Sequence, residues 1–72
     1  MNNLKKLRED GKYTRVALSK KCGIPVRTIL AWEKDERRIE LASYISVIKI
    51  ARALDVTPND LFAEDSDARV NV

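Results

Sequence analysis

The basic residues of this chain are unevenly distributed, and they are its most evident means of binding another molecule. Residues 1–38 carry eleven Lys and Arg against five Asp and Glu, which gives this half a net charge of +6. Residues 39–72 carry three basic and six acidic residues, a net charge of −3. This split favours one half that binds a polyanion and another that packs or meets a partner. An ordinary solvated surface with chance clustering of charge is the alternative.

Residue types that carry out catalysis or bind metals are scarce in the sequence. The chain has no His and one Cys, so it can form neither an internal disulfide nor a zinc site of Cys and His. Gly11 and Gly23 are its two glycines, which leaves no Gly-rich phosphate loop. We therefore expect no enzymatic activity, no cofactor and no metal site. Cys22 is expected in the core, with a redox-sensing thiol as the alternative.

Length and composition favour one small globular domain. The chain has 72 residues, of which 44% are hydrophobic, and this composition excludes disordered and fibrous classes. Residues 41–51 form the richest apolar stretch, which is too short and too polar to span a bilayer. No apolar block follows the basic residues of positions 1–12, so we expect no secretory signal and a cytoplasmic protein.

Start and stop signals divide the sequence into five short helices. The first covers about residues 3–10. Gly11 follows it and is suited to the left-handed conformation that a chain often adopts just past a helix end. The second begins at Thr14, a good N-cap, and ends just before Gly23, which is again suited to a left-handed position. The first two helices are therefore predicted to be joined by a short turn.

The second and third helices are separated by a very short connection centred on Gly23. This is the arrangement of a helix-turn-helix, and the turn needs a residue that adopts a positive φ. The third helix covers about residues 26–34, and Ile29 and Trp32 share its inner face. The residues left on its outer face are Val26, Arg27, Leu30 and Ala31. A plain helical hairpin in a bundle is the alternative.

The remaining elements are predicted from caps and apolar spacing. A polar loop over residues 35–40 leads to a fourth helix that begins near Ser43, and Thr57 caps a fifth. The inward face of the fourth helix follows the i, i+3, i+4, i+7 spacing at Val47, Ile50, Ala51 and Leu54. Residues 68–72 follow an acidic run and are expected to be frayed, with a short strand that pairs with a partner chain as the alternative.

An ordered set of motifs covers residues 4–62, about four-fifths of the chain. The motifs are Leu4-x-x-Leu7-Arg8, Thr14-x-x-x-Leu18-Ser19, Gly23-Ile24, Thr28-Ile29, Trp32-Glu33, Lys49-Ile50-Ala51-Arg52-Ala53-Leu54, Val56-Thr57 and Leu61-Phe62. Together they resemble the phage lambda Cro/repressor, or Xre-like, helix-turn-helix family. The resemblance implies an all-α, compact five-helix domain, which we place over residues 1–62. Residues 63–72 are expected to be an acidic tail that is frayed or contributes to a dimer contact.

The resemblance also implies that the domain binds double-stranded DNA, with the third helix in the major groove. Arg27 can pair with guanine or hold a phosphate, and Val26 and Ala31 can pack on a thymine methyl group. The base-reading set is Val26, Arg27, Leu30 and Ala31. The set expected at phosphates or the DNA backbone is Thr14, Arg15, Thr28, Lys34, Arg37 and Arg38. Arg8 and Glu33 match a pair that forms a salt bridge in this family.

Two classes of function follow from these features. The first is a transcriptional regulator, here a repressor that binds a pseudo-palindromic operator as a homodimer. The second is an antitoxin-like or other protein-interaction module on the same fold, which would bind a partner through the acidic C-terminal half. In the first, the basic half carries the function. In the second, the acidic stretch 55–67 and the tail carry it.

Overall fold

The computed structural model describes residues 2–63. Within this range the chain forms five α-helices and one short 3-10 helix, without a strand. The elements are α1 (Leu4–Asp10), α2 (Arg15–Cys22), α3 (Val26–Glu33), the 3-10 helix (Ile39–Leu41), α4 (Tyr44–Leu54) and α5 (Pro58–Phe62). The predicted all-α, five-helix fold is confirmed. The fraying and the strand considered for residues 68–72 lie outside the described residues.

Three of the helices begin at side-chain caps that the sequence predicts. The hydroxyl oxygens of Thr14, Ser43 and Thr57 each accept the backbone N–H of the residue three positions later. The Asp60 carboxylate also accepts the backbone N–H of Thr57 at 3.0 Å, which completes a capping box. These bonds satisfy backbone donors that a helix leaves open at its first turn, so each start is defined locally.

The turn after α1 differs from the prediction. Gly11 has a φ of −81° rather than a left-handed conformation, and the residue with positive φ is Lys12, at 64°. The backbone N–H of Tyr13 donates to the carbonyl oxygen of Arg8 at 3.1 Å, which places the left-handed residue one position later than expected. A Cβ atom at Gly11 would lie 3.1 Å from the Tyr13 ring. Gly11 is therefore suited to this turn by the room it leaves for the ring.

The core lies between the five helices. Helix α2 packs against α3 and α4, α1 packs against α3 and α5, and α4 packs against α5. The backbone N–H of Asn3 donates to the carbonyl oxygen of Leu61 at 3.0 Å, which joins the N-terminus to α5. Cys22 and Trp32 are buried, as expected from the sequence. The largest fully buried side chains are those of Leu4, Leu18, Ile29, Ile39, Ile50 and Leu61.

Residues 35–38 form the polar loop that the sequence predicts, but the last two positions of the predicted loop, residues 39–40, belong to a 3-10 helix. Ile39 is fully buried and begins the 3-10 helix, whereas an isolated apolar residue among charged neighbours has no periodic signal. Asp35 takes a left-handed φ of 61° just after α3.

The buried face of α4 is wider than the predicted stripe. Ala53 is buried, and Leu54, which the spacing places inward, is half-buried at the edge of the core. Helix α4 contacts both α2 and α5, so it buries more than one narrow stripe.

Candidate nucleic-acid interface

The connection between α2 and α3 has the geometry that the helix-turn-helix motif requires. Gly23 adopts a left-handed φ of 79°, and its N–H donates to the carbonyl oxygen of Ser19 at 2.8 Å. Apart from Gly23 and its two neighbours in the chain, no residue has a heavy atom within 4 Å of the position of a Cβ at Gly23. The backbone conformation, rather than a lack of space, is therefore what favours glycine here. The turn lets only three residues separate the end of α2 from the start of α3.

Helix α3 is anchored along one face. Ile29 is fully buried and Trp32 is 4% exposed, so both lie in the core. On the opposite side Val26 and Arg27 are exposed, and Leu30 and Ala31 are half-buried. These four residues occupy positions i, i+1, i+4 and i+5, which share one side of a helix. The structure therefore brings the predicted base-reading set together on one accessible face.

The carboxylate of Glu33 holds two arginines at the end of α3. Arg8 donates from Nε to Oε2 at 2.6 Å and from a terminal nitrogen to Oε1 at 3.2 Å. The other terminal nitrogen of Arg8 donates to the carbonyl oxygen of Tyr13 at 2.9 Å. Both side chains are buried, at 8% and 1% exposed. The pair expected from the resemblance is therefore in contact, and it ties α1 to α3.

The hydrogen bond from Arg8 to Glu33 has an electrostatic consequence. This hydrogen bond is the main reason why the pKa of the Arg8 guanidinium is raised above its usual value. Burial of the side chain acts in the opposite direction and lowers the pKa. Arg8 therefore stays positively charged throughout the neutral range. Because both partners are desolvated, removing Glu33 would leave the charge of Arg8 without its buried partner.

Arg15 makes a contact that the sequence does not reveal. Its Nε donates to Glu33 Oε1 at 3.0 Å, and its side chain is 36% exposed. Arg15 is the first residue of α2, which Thr14 caps, so the predicted phosphate-binding group is positioned by the carboxylate at the end of α3. The family resemblance implies the pair of Arg8 and Glu33, but nothing in the sequence indicates that a second arginine binds the same carboxylate. The two terminal nitrogens of Arg15 make no hydrogen bond to the described residues.

Two further predicted phosphate contacts lie beside the start of α3. Arg37 and Arg38 line a groove of about 490 Å³ together with Thr28 and Pro25. Arg37 is exposed and forms no ion pair with a described residue, and the Arg38 Nε lies 3.8 Å from a carboxylate oxygen of Glu40. The rest of the groove is formed by Ile24, Trp32, Leu41, Ala42, Ser43 and Ser46. The structure thus gathers Thr28 and both arginines on one surface.

Lys34 stands apart from that groove. It is the exposed C-cap residue of α3, whereas Thr28 lies in the first turn of the same helix. The structure therefore distributes the predicted backbone contacts over three places: the start of α2, the groove beside α3, and the end of α3 at Lys34. The roles of all these residues in binding stay predictions.

A family model described as helix-turn-helix matches residues 4–61, which is most of the chain. The chain belongs to the Cro/C1-type, Xre-like helix-turn-helix family. The match includes α2, the turn at Gly23 and α3, whose geometry is described above. A search of proteins with curated functions found no match. This Xre-like chain is accordingly a DNA-binding helix-turn-helix protein.

Among residues 2–63 there is no group of three or more His, Cys, Asp or Glu side chains that could hold a metal ion. No described helix combines the length and the apolar character needed to cross a membrane.

Proposed function

We propose that this chain is a transcriptional repressor that binds a pseudo-palindromic operator in double-stranded DNA as a homodimer. The observation that most supports the proposal is the one-sided anchoring of α3. Its inner face is held by Ile29, Trp32 and Glu33, while Val26 and Arg27 at its start are exposed. A helix held in this way can enter the major groove while staying attached to the domain.

Base readout would come from the start and the middle of the outer face of α3. Arg27 has two terminal nitrogens in a planar fork, which match the O6 and N7 acceptors of guanine. Val26 and Ala31 have no polar side-chain atom and would pack on the methyl group of thymine. Leu30 lies on the same face and would add apolar contact. The proposed operator therefore contains at least one guanine per half-site, with a thymine beside it.

Contacts with the DNA backbone would provide affinity and would fix the position of the protein along the duplex. Arg15, held at Nε by Glu33, keeps two nitrogens for a phosphate at the start of α2, where the helix amides and the Thr14 cap also lie. Thr28, Arg37 and Arg38 would contact a second stretch of backbone along their groove, and Lys34 lies beyond them. Contacts of this kind position the protein without reading sequence.

Selection of bound sequences from random duplex DNA tests the proposal. We expect enrichment of two similar half-sites in inverted orientation, with centres about 34 Å, or one helical turn, apart. The affinity for the selected duplex should fall steeply as salt rises, because binding releases counterions from the phosphates. Recovery of no preferred sequence, or binding that is independent of salt, would contradict the proposal.

Three expectations remain beside this proposal. The division into a domain over residues 1–62 and a tail over residues 63–72 stays a prediction, as does a cytoplasmic location. The protein-interaction alternative depends largely on the tail, which lies outside the described residues. Retention of a basic partner by the full chain, and its loss when residues 63–72 are deleted, would support that alternative.

A further inference from the structure

Two arginines share the carboxylate of Glu33, but one of them is sufficient to compensate its charge. Arg8 donates to both carboxylate oxygens, at 2.6 Å and 3.2 Å, and the two side chains are 8% and 1% exposed. This buried pair is complete without Arg15, whose side chain is 36% exposed. The hydrogen bond from Arg15 to Glu33 therefore has its main consequence outside the core.

The carboxylate that Arg15 contacts has a fixed position. Glu33 is the last residue of α3, and its side chain is enclosed. Arg8 holds it from α1 and is itself held by the carbonyl oxygen of Tyr13 at 2.9 Å. The hydrogen bond from Arg15 Nε to Glu33 Oε1, 3.0 Å long, therefore places the Arg15 guanidinium at a defined position relative to α3.

The outer part of the Arg15 guanidinium has donors left for a ligand. A guanidinium carries five N–H donors in a planar fork, and the Nε–H is the one that Glu33 accepts. Arg15 is also the first residue of α2, where a helix leaves backbone N–H groups without a partner inside it. A phosphate at this place can accept from the side chain and from the helix together.

A donor that is held before binding differs from a flexible one. It is oriented in the free protein, so little conformational entropy is lost when a phosphate binds. It also cannot follow a phosphate that lies elsewhere, whereas Arg37, which is exposed and forms no ion pair with a described residue, can adjust to several positions. Arg15 therefore binds a phosphate well only where α3 has one depth and one orientation in the major groove.

We infer that Arg15, positioned by Glu33, distinguishes the operator from unrelated DNA. Its phosphate contact forms when α3 lies against the operator bases and is weakened when α3 lies differently on other sequences. Phosphate contacts carry no sequence information by themselves. This contact acquires it because the end of α3 that fixes Arg15 moves together with the base-reading face. The inference rests on the proposed function and gives Glu33 a positioning role beside its role in the fold.

Arg15→Lys tests the inference because it keeps the charge and removes the fork. An ammonium is a single nitrogen, so it cannot hold Glu33 at one nitrogen and extend others to a phosphate. Affinities are measured for the selected duplex and for a scrambled duplex of equal length, at several salt concentrations. We expect affinity for the selected duplex to fall about 3- to 10-fold, the effect of one well-placed hydrogen bond. Affinity for the scrambled duplex and the salt dependence should stay unchanged.

Arg37→Lys is the matched control. It makes the same exchange at an arginine that no described carboxylate holds, so both affinities should stay unchanged. Arg15→Gln, which also removes the charge, should lower both affinities and reduce the slope of log affinity against log salt by about one unit. The inference is overturned if the two lysine variants have the same ratio of selected to scrambled affinity, or if Arg15→Gln leaves both affinities unchanged.

The part played by Glu33 is tested through Arg15. Glu33→Gln is made in the wild type and in the Arg15→Lys variant, and circular dichroism establishes that each protein is folded at the temperature used. The ratio of selected to scrambled affinity should fall in the first background and fall no further in the second. An equal fall in both would show that Glu33 acts through the fold alone and would overturn its positioning role. If Glu33→Gln does not fold, the comparison of the two lysine variants decides the inference, because neither alters Arg8 or Glu33.

The outcomes separate this inference from the proposed function. A wild-type chain with no preference for any sequence refutes the proposed function, and the inference with it. A wild-type chain with a clear preference that Arg15→Lys retains in full refutes the inference alone. In the protein without DNA, the Nε–H of Arg15 should exchange with water more slowly than that of Arg37, as measured by nuclear magnetic resonance. Equal exchange rates would show that Glu33 does not hold Arg15, which would also overturn the inference.

Discussion

The two ends of α3 both carry charged side chains, but they are built differently. At the start, the side chain of Arg27 is exposed and forms no hydrogen bond or ion pair with another described residue. At the end, Glu33 is buried and its carboxylate is bound by Arg8 and Arg15. A charge that is desolvated and paired holds the helix in place. A charge that is exposed and without a protein partner remains available for a ligand.

The comparison also distinguishes the arginines of this chain. Arg8 is enclosed and contributes to the fold, Arg15 is held at one nitrogen and exposed at 36%, and Arg37 is exposed. Identical side chains thus range from structural to binding roles according to burial and partner. Removing a charge from the buried pair should therefore affect stability, whereas removing an exposed arginine should affect DNA binding.

Glu33→Ala is expected to have the largest effect, on stability. Removing one partner of a buried pair leaves the Arg8 guanidinium uncompensated, which costs about 3–5 kcal/mol. That is a large fraction of the total for a small domain. Urea or thermal unfolding followed by circular dichroism measures it. Glu36→Ala, which removes an exposed carboxylate nearby, should leave the unfolding midpoint unchanged. Equal effects of the two substitutions would show that Glu33 does not anchor α3.

Arg27→Ala is expected to change DNA specificity and to leave folding intact. If Arg27 pairs with guanine, its loss lowers affinity for the selected site by about 1–3 kcal/mol, or roughly 5- to 150-fold, and relaxes the preference at one base pair. Repeating the selection with the variant measures this. A uniform loss across all sequences, with the original preference retained, would assign Arg27 to a phosphate instead.

Arg37→Gln is expected to have the smallest effect, on the salt dependence of binding. One lost phosphate contact lowers the slope of log affinity against log salt by about one unit, without a change in preferred sequence. Titrations at several salt concentrations measure the slope. Lys49→Gln is the matched control, because Lys49 lies with Lys21 and Arg52 in a separate pocket between α2 and α4. The same change in slope for both variants would mean that the groove beside α3 does not bind phosphate.

Local signals account for the features that were predicted correctly. The caps at Thr14 and Thr57 and the left-handed Gly23 depend on bonds within four residues, so residue types at fixed offsets suffice to place them. The burial of Ile29 and Trp32 follows from their spacing along one helix. For the same reason the outer face of α3 could be listed from the sequence, since residues that are not needed for the core must lie on the other side.

The features that the sequence misses depend on contacts between distant segments. Gly11 leaves room for the Tyr13 ring rather than supplying the positive φ, and Ile39 is drawn into the core from a charged segment. Arg15 reaches a carboxylate that lies 18 residues further along the chain. The exposure of Leu41, Tyr44 and Ile45 also comes as a result of packing, because apolar residue types alone would predict burial.

The order of the helix caps, the spacing of apolar residues along each helix and the separation of charge are therefore determined by the sequence itself. Each depends on residues that lie close together along the chain. The shared carboxylate, the groove that joins Thr28 to Arg37 and Arg38, and the exposure of the apolar side chains at the start of α4 result from folding. Their geometry depends on how α1, α3 and α4 pack, and packing is determined by shape and burial over the whole core. A sequence pattern that extends over a few residues does not determine how distant helices pack, so it cannot predict these features.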